Sequence, residues 1–307
     1  MRRALVLFIS LFSLSLSSQE EVSVLSNDLT LYGTLLTPTE KTEKAILIIS
    51  GSGETDRNGN TLPLNYTNNS LKQLAKALTN QGYATLRYDK RGVGKSKNSS
   101  LSPEKLRYEH YIRDAEKWIA FLKKKYAKVI IIGHSQGGLT GMSAMQQVQA
   151  DGLISLAGIT EDVYTTLKRQ LAAQPQFVKD TAFPILDSLN IGVKTDSVPQ
   201  YLHAFLHPKI QDYMMSFMAY DPRVQIKKIA APILIIQGTT DLQITVEGAQ
   251  SLAASQPSAA IEIITGMNHV LKESTENQIE NLGTYSNPDL PLHPELIPKL
   301  LSFLDTW

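Results

Sequence analysis

Five residues, Gly133-His134-Ser135-Gln136-Gly137, constrain this chain more than any other stretch. They follow Val129-Ile130-Ile131-Ile132, an apolar β-branched run that reads as a buried parallel strand, and they lead into Gly138 to Met145, which reads as a helix despite its glycines. Strand, G-x-S-x-G and helix in that order is the context of a nucleophile elbow. A serine that lifts its Oγ above a sheet must sit on sharp, strained backbone, and flanking glycines let strand and helix approach each other. The helix N-terminus then turns free N–H groups and a positive dipole end toward a forming oxyanion. The bare motif also occurs as a plain strand-to-helix turn, but these flanks favour Ser135 as a nucleophile.

The chain has no cysteine, which removes disulfides, thiolate catalysis and cysteine-ligated metals. Its 307 residues suit one large α/β domain with an insertion, or two small domains, and 42% hydrophobic with 19% charged residues is a globular composition. The net charge of +1 recommends no nucleic acid. At the N-terminus Arg2 and Arg3 precede the apolar run Ala4 to Phe12 and a Ser/Leu tract. That pattern predicts an export signal over residues 1–18, cleaved near Ser17 or Ser18. The run is shorter than the roughly 20 residues a spanning helix needs, so no membrane anchorage is expected after cleavage.

Past the signal, Glu21–Val24 and Leu29–Leu36 alternate like a β-hairpin turning at Asn27-Asp28, and Lys44–Ile49 reads as a buried strand. The polar loop Glu54–Asn69 holds Asp56-Arg57-Asn58-Gly59-Asn60, which lacks the spacing and closing glutamate of a calcium loop. A helix is expected over Ser70–Gln81, a strand over Tyr83–Tyr88 and a long amphipathic helix over Pro103–Lys125. Gly94-Lys95-Ser96 resembles the tail of a phosphate loop, but Asp89 stands where that motif requires glycine. Another strand follows at Gly152–Ala157. From Thr160 to about Arg223 no strand pattern occurs and prolines recur, which predicts a helical cap at about 160–225. The sheet then resumes at Ile233–Gln237, followed by a helix near Val246–Ala254, a strand at Ile261–Ile264 and a last helix over Pro294–Leu304. Strands alternating with helices predict an α/β fold with a mostly parallel sheet.

A serine nucleophile needs a base, and the base needs an orienting acid. In strand-elbow-helix proteins these follow in the order acid, then histidine, on loops after later strands. Asp241 lies three residues past Gly238, and His269 lies in Gly266-Met267-Asn268-His269. Alternatively Asp241 only turns its loop and His269 is an exposed loop residue. His110, His203, His207 and His293 read as surface or packing residues, and His134 as packing at the elbow.

Taken together, the elbow, Asp89-Lys90-Arg91-Gly92-Val93-Gly94-Lys95-Ser96, the 233–238 strand with Asp241, and Asn268-His269 resemble the α/β-hydrolase superfamily. Gly51-Ser52-Gly53 with Asp56–Asn60 is similar to a bacterial esterase branch near the serine-aminopeptidase-like hydrolases and EstD-type esterases. The resemblance covers roughly residues 20–307 and is weakest in the cap. It implies an α/β-hydrolase fold with an N-terminal hairpin and helical cap, a triad of Ser135, Asp241 and His269, and no metal or cofactor. It also implies an oxyanion hole from the N–H of Gln136 and that of Ser52, with Gly53 as the alternative; Ser50 replaces the histidine usual in such loops. The expected substrate is a small-molecule ester of small or medium acyl groups.

Tyr201, Phe205, Tyr213, Met214, Phe217, Met218 and Tyr220 of the cap each read as helix packing, although jointly they would make an apolar pocket. Glu161 and Asp162 would suit a peptide's N-terminal amine, but first-turn acids behind a Thr160 cap explain them as well. A peptidase of the same fold is therefore the nearest rival, and a non-catalytic binding protein a more distant one. An aspartate nucleophile, as in epoxide and haloalkane hydrolases, is absent from the elbow, and haloperoxidases sharing the triad rank low.

Overall fold

A computed structural model of the chain describes residues 17–27, 29–98 and 101–306. The export signal expected over residues 1–18 therefore lies almost wholly outside the described residues, as does Asp28 of the expected hairpin turn. Eight strands form one sheet in the order β1-β2-β4-β3-β5-β6-β7-β8. β1 (Ser18–Ser26) and β2 (Leu29–Thr37) are the antiparallel hairpin, and β2 also runs antiparallel to β4 (Ala84–Tyr88). Every other pairing, through β3 (Lys44–Ile49), β5 (Lys128–His134), β6 (Gly152–Leu156), β7 (Ile233–Gly238) and β8 (Ala260–Ile264), is parallel. This is the α/β-hydrolase architecture that the sequence predicts.

Alternation along the strands sorts the core into two layers. Ile46, Ile48, Ile130, Ile132, Leu234 and Ile236 face α1 (Ser70–Asn80) and the final helix α11 (Leu296–Leu304). Leu47, Ile49, Val129, Ile131, Ile233 and Ile235 face α2 (Tyr108–Lys123), α3 (Gln136–Ala144) and α9 (Val246–Ala254). Strands buried on both faces read as continuous apolar runs, which is why the sequence marks them so clearly. Between β6 and β7 run five helices, α4 (Val163–Leu171), α5 (Gln176–Asn190), α6 (His203–Leu206), α7 (Gln211–Met218) and α8 (Pro222–Gln225).

Local chemistry adjusts several boundaries. The helix expected from Pro103 is a single 3-10 turn at Pro103–Lys105, then extended backbone, then α2. The break falls at Arg107, whose N–H donates to His110 Nδ1 at 3.2 Å and so starts a fresh helix. The Asp56 loop is turn chemistry: Oδ1 accepts from the Asn58 and Asn60 amides at 2.8 and 2.9 Å. A short helix, α10 (Gln278–Gly283), has no counterpart in the sequence reading. It is polar and only six residues long, so no apolar period announces it.

The stretch that resembles a phosphate loop folds around an acid instead. The Asp89 carboxylate accepts from the Arg57 amide (2.9 Å), the Arg57 guanidinium (2.7 Å) and the Lys95 amide (2.9 Å). Gly94 has a positive φ, and a Cβ there would lie 2.4 Å from Asp89 Oδ2, so the turn closes too tightly for a side chain. Arg91 pairs with Asp114 of α2 through two bonds of 2.7 and 2.5 Å. The motif fastens the end of β4 to its neighbours and leaves no cradle for a phosphate.

Candidate active site

Ser135 sits between β5 and α3 at φ 54° and ψ −123°, a strained conformation for a residue with a side chain. The glycines flanking it make that possible. A Cβ on Gly133 would lie 2.3 Å from the Gly137 carbonyl oxygen, and one on Gly137 would lie 2.3 Å from that of Ile49. Backbone bonds lock the turn: Ser135 N–H donates to Leu156 O at 3.1 Å, and its carbonyl accepts from Gly138 and Ile159. On the other side Gly51 passes so close that a Cβ there would be 3.1 Å from Ser135 Cβ.

Asp241 and His269 are brought together from loops after β7 and β8. His269 Nδ1–H donates to Asp241 Oδ2 at 2.8 Å, which leaves Nε2 as the nitrogen with the free lone pair. The other contacts of the carboxylate hold it in place. Oδ1 accepts from the Gln243 and Ile244 amides at 2.7 and 3.0 Å, and Oδ2 accepts from Gln237 Nε2 at 3.0 Å. Burial alone would raise the Asp241 pKa, but the adjacent His269 and these donors outweigh it and hold the group below the ordinary carboxylate range. The acid therefore stays ionised beside the imidazole.

His269 is tied to the elbow through its backbone. His134 Nε2–H donates to the His269 carbonyl at 2.8 Å, and the two rings lie 5.0 Å apart. Burial first, and then the neighbouring His269, push the His134 pKa down to about 4, so its ring is a neutral packing and bonding group, not a second base. Among the described residues the His269 ring bonds Asp241 and not Ser135. Such bonds are commonly loose without substrate and tighten once it binds.

A cavity of about 890 Å³ opens over the serine, with Ser52, Ser135 and Gln136 in its wall. Phe205, Tyr213, Met214 and Phe217 line it from the cap, whereas the exposed Tyr201 and also Met218 and Tyr220 lie outside it. Leu101, Leu106, His110 and Tyr111 add a wall from the α2 side that the sequence did not announce, because nothing in their spacing distinguishes a lining residue from core. Gln136 also reaches the cap directly, its Nε2 donating to Tyr213 Oη at 2.7 Å. The acidic pair is committed elsewhere. Asp162, and not Thr160, is the N-cap of α4, accepting from the Thr165 amide at 2.9 Å, while Glu161 pairs with Arg169 at 2.8 Å.

Sequence reasoning missed three supporting residues. Gln237 is one. Lys90 is another: it is buried, and its Nζ donates to the Gly51 carbonyl. The third is Asn281 of α10, whose Nδ2 donates to Thr240 O at 2.7 Å and whose Oδ1 accepts from Asn268 at 3.1 Å. One buried amide thus clamps the residues preceding Asp241 and His269. Lys90 and Gln237 lie inside stretches that carry the family resemblance and Asn281 in none, but no spacing gives any of the three a role; only the fold brings them to the site.

Residues 64–275 match the family described as serine aminopeptidase, S33. The chain belongs to that hydrolase family. Esterase EstD of Thermotoga maritima is 27% identical over 206 residues, 66% of this chain and 47% of that protein, so the match spans about half the length of that relative. Among solved structures, the Pyrococcus furiosus esterase Pf2001 superposes with a TM-score of 0.60 at 15% identity, covering 95% of this chain and 92% of that one. Est1E from Butyrivibrio proteoclasticus, with ferulic acid bound, gives 0.59 at 18% identity, covering 92% and 99%. The structural neighbours establish the α/β-hydrolase fold, and the family match places the chain among hydrolases.

Proposed function

We propose that the protein is an exported carboxylesterase-type serine hydrolase acting on small-molecule esters of small or medium acyl groups. The observation that carries this reading is a strained Ser135 at the floor of a largely apolar cavity, with the buried His269–Asp241 pair bonded to the residue beside it. In this reaction Ser135 Oγ attacks the acyl carbonyl while its proton passes to His269 Nε2. Asp241 keeps the imidazole in the Nδ1–H tautomer and stabilises the imidazolium without taking a proton. The amides of Gln136 and Ser52 receive the tetrahedral oxyanion. Collapse of the intermediate expels the alcohol, which takes the proton back from His269. Water, activated by the same histidine, then hydrolyses the acyl-enzyme and regenerates Ser135.

The similarity to EstD supports an ester over a peptide substrate, and so does the engagement of Glu161 and Asp162 in α4, which leaves neither free for an amine. The test is hydrolysis of p-nitrophenyl acetate, butyrate and octanoate by wild type and Ser135→Ala. Turnover by the wild type alone supports the reading, with the chain-length profile reporting cavity depth. Equal background rates from two well-folded proteins reject it. N-terminal sequencing of the protein from its native host checks export: a start at Met1 rejects cleavage near residue 18.

A further inference from the structure

We infer that Lys90 is a positioning residue for the oxyanion hole, acting through the Gly51–Ser52 peptide. The inference rests on the hydrolase reading above and adds to it a residue outside the triad. Lys90 lies two residues past the end of β4, which pairs with β3, the strand whose following loop carries Gly51 and Ser52. The residue is 3% exposed, and its amine donates to the carbonyl of Gly51. No described peptide bond is cis, so the Gly51 C=O and the Ser52 N–H point in opposite directions across one rigid plane. Fixing the oxygen on one side fixes the N–H on the other. Ser52, Ser135 and Gln136 face the cavity, whereas Lys90 and Gly51 do not line it, so the amine holds the peptide from behind.

The surroundings explain why a lysine is needed there. A loop of Ser50-Gly51-Ser52-Gly53 has little side-chain bulk to set its own peptide orientation, and a side chain at Gly51 would crowd Ser135, its Cβ 3.1 Å from that of the serine. An outside donor must therefore choose between the two faces of the peptide. Lys90 is otherwise packed near the Tyr111 ring, 6.0 Å from its centroid, and has no carboxylate in hydrogen-bond contact among the described residues. A buried amine without an acid partner is costly, so its retention calls for a role. Burial lowers its pKa to about 7, with Asp56 opposing, and the amine has an N–H to donate in either protonation state.

The experiment compares wild type, Lys90→Met and Lys90→Gln on p-nitrophenyl butyrate, with Ser135→Ala as the blank. Removing an oxyanion donor outright costs about 10²–10³ in kcat, so letting one swing free is expected to cost about 10–10² in Lys90→Met. KM should stay within about twofold, and Lys90→Gln, which keeps an N–H, should fall between the two. The decisive readout is a trifluoromethyl ketone, whose serine hemiketal carries the oxyanion: its affinity should fall in parallel with kcat/KM. A merely structural lysine would not single out that adduct. The inference is overturned if folded Lys90→Met, or Lys90→Gln should the methionine variant not fold, keeps wild-type kcat and ketone affinity while Ser135→Ala is dead. Wild-type turnover no greater than that of Ser135→Ala would bring down the hydrolase reading, and the inference with it.

Discussion

The elbow at Ser135 and the loop carrying His269 meet the same demand by different means. Each must hold one side chain at a fixed place on irregular backbone. The elbow does so with absent side chains: Gly133 and Gly137 let β5 and α3 close to distances no Cβ would tolerate. The His269 loop does so with added polar groups. Asn268 donates to Asn281 and Thr284 and accepts from the Lys272 amide at 3.0 Å, all of it buried, while Leu271 sits at φ 65° without being glycine. A turn made by glycine is local and stiff, whereas a turn made by hydrogen bonds depends on distant residues and fails when any one of them is lost.

Breaking the elbow should have the largest effect. Gly133→Ala drives a methyl group into the Gly137 carbonyl, and a loss of more than about 3 kcal/mol in urea unfolding is expected, with activity lost alongside stability. Wild-type stability in that variant would show that the elbow can relax and that the contrast is false. Breaking the polar loop should be milder for the fold and more selective for the site. Asn281→Ala strands the Thr240 carbonyl and one N–H of the Asn268 amide, which keeps its bond to Thr284, at a cost of about 1–3 kcal/mol. Because those residues precede Asp241 and His269, kcat should fall about tenfold or more in protein that remains folded, as a 1 Å misplacement can cost about 10². Unchanged kcat would mean that Asp241 and His269 are held without α10.

A third measurement separates the two regions by pH. The His134 pKa is lowered from 6.5 to about 4 by burial, so the unfolded chain binds a proton in that window that the folded chain does not. Its contribution is fully present above the unfolded pKa and is lost as pH falls toward the folded one. Stability should therefore drop on acidification from pH 6.5 to 4, by up to about 1.4 kcal/mol per unit from this residue. His134→Gln should flatten that slope, as followed by urea melts across the range. An unchanged slope would place the acid sensitivity elsewhere.

The same contrast explains what could be read from sequence. Features that are local or periodic were legible: the β-branched strands, the glycines about Ser135, and the pairing of Asp241 with His269, which lie at fixed offsets from strand ends. The engagement of Asp89 by Arg57, Lys95 and the turn at Gly94 was legible only in part, as a motif that departs from a phosphate loop. What stayed hidden depends on tertiary contact. Asn281 lies 41 residues from the carbonyl it holds, and Lys90 lies 39 from its own. Leu271 gives no hint of a left-handed turn, since leucine seldom adopts one. Asp162 displaced Thr160 as the cap of α4 because the helix begins at Val163, a boundary shift finer than pattern reading resolves.

The bond from Gln136 to Tyr213 carries a consequence for how such a chain can diversify. Gln136, which follows Ser135 in the elbow, is moored through its side chain to α7, the helix that lines the cavity from the cap. Desolvation around the partly buried Tyr213 holds its hydroxyl pKa well above the usual range, so it remains a neutral acceptor. Cap and elbow are thus joined mechanically through this one bond. Recombining the helices between β6 and β7 with those of another lineage would transfer a new cavity intact only if the incoming segment presents an acceptor at the same point. Changes elsewhere in the cap leave this link untouched, while a change at Tyr213 alters both the cavity wall and the hold on the elbow.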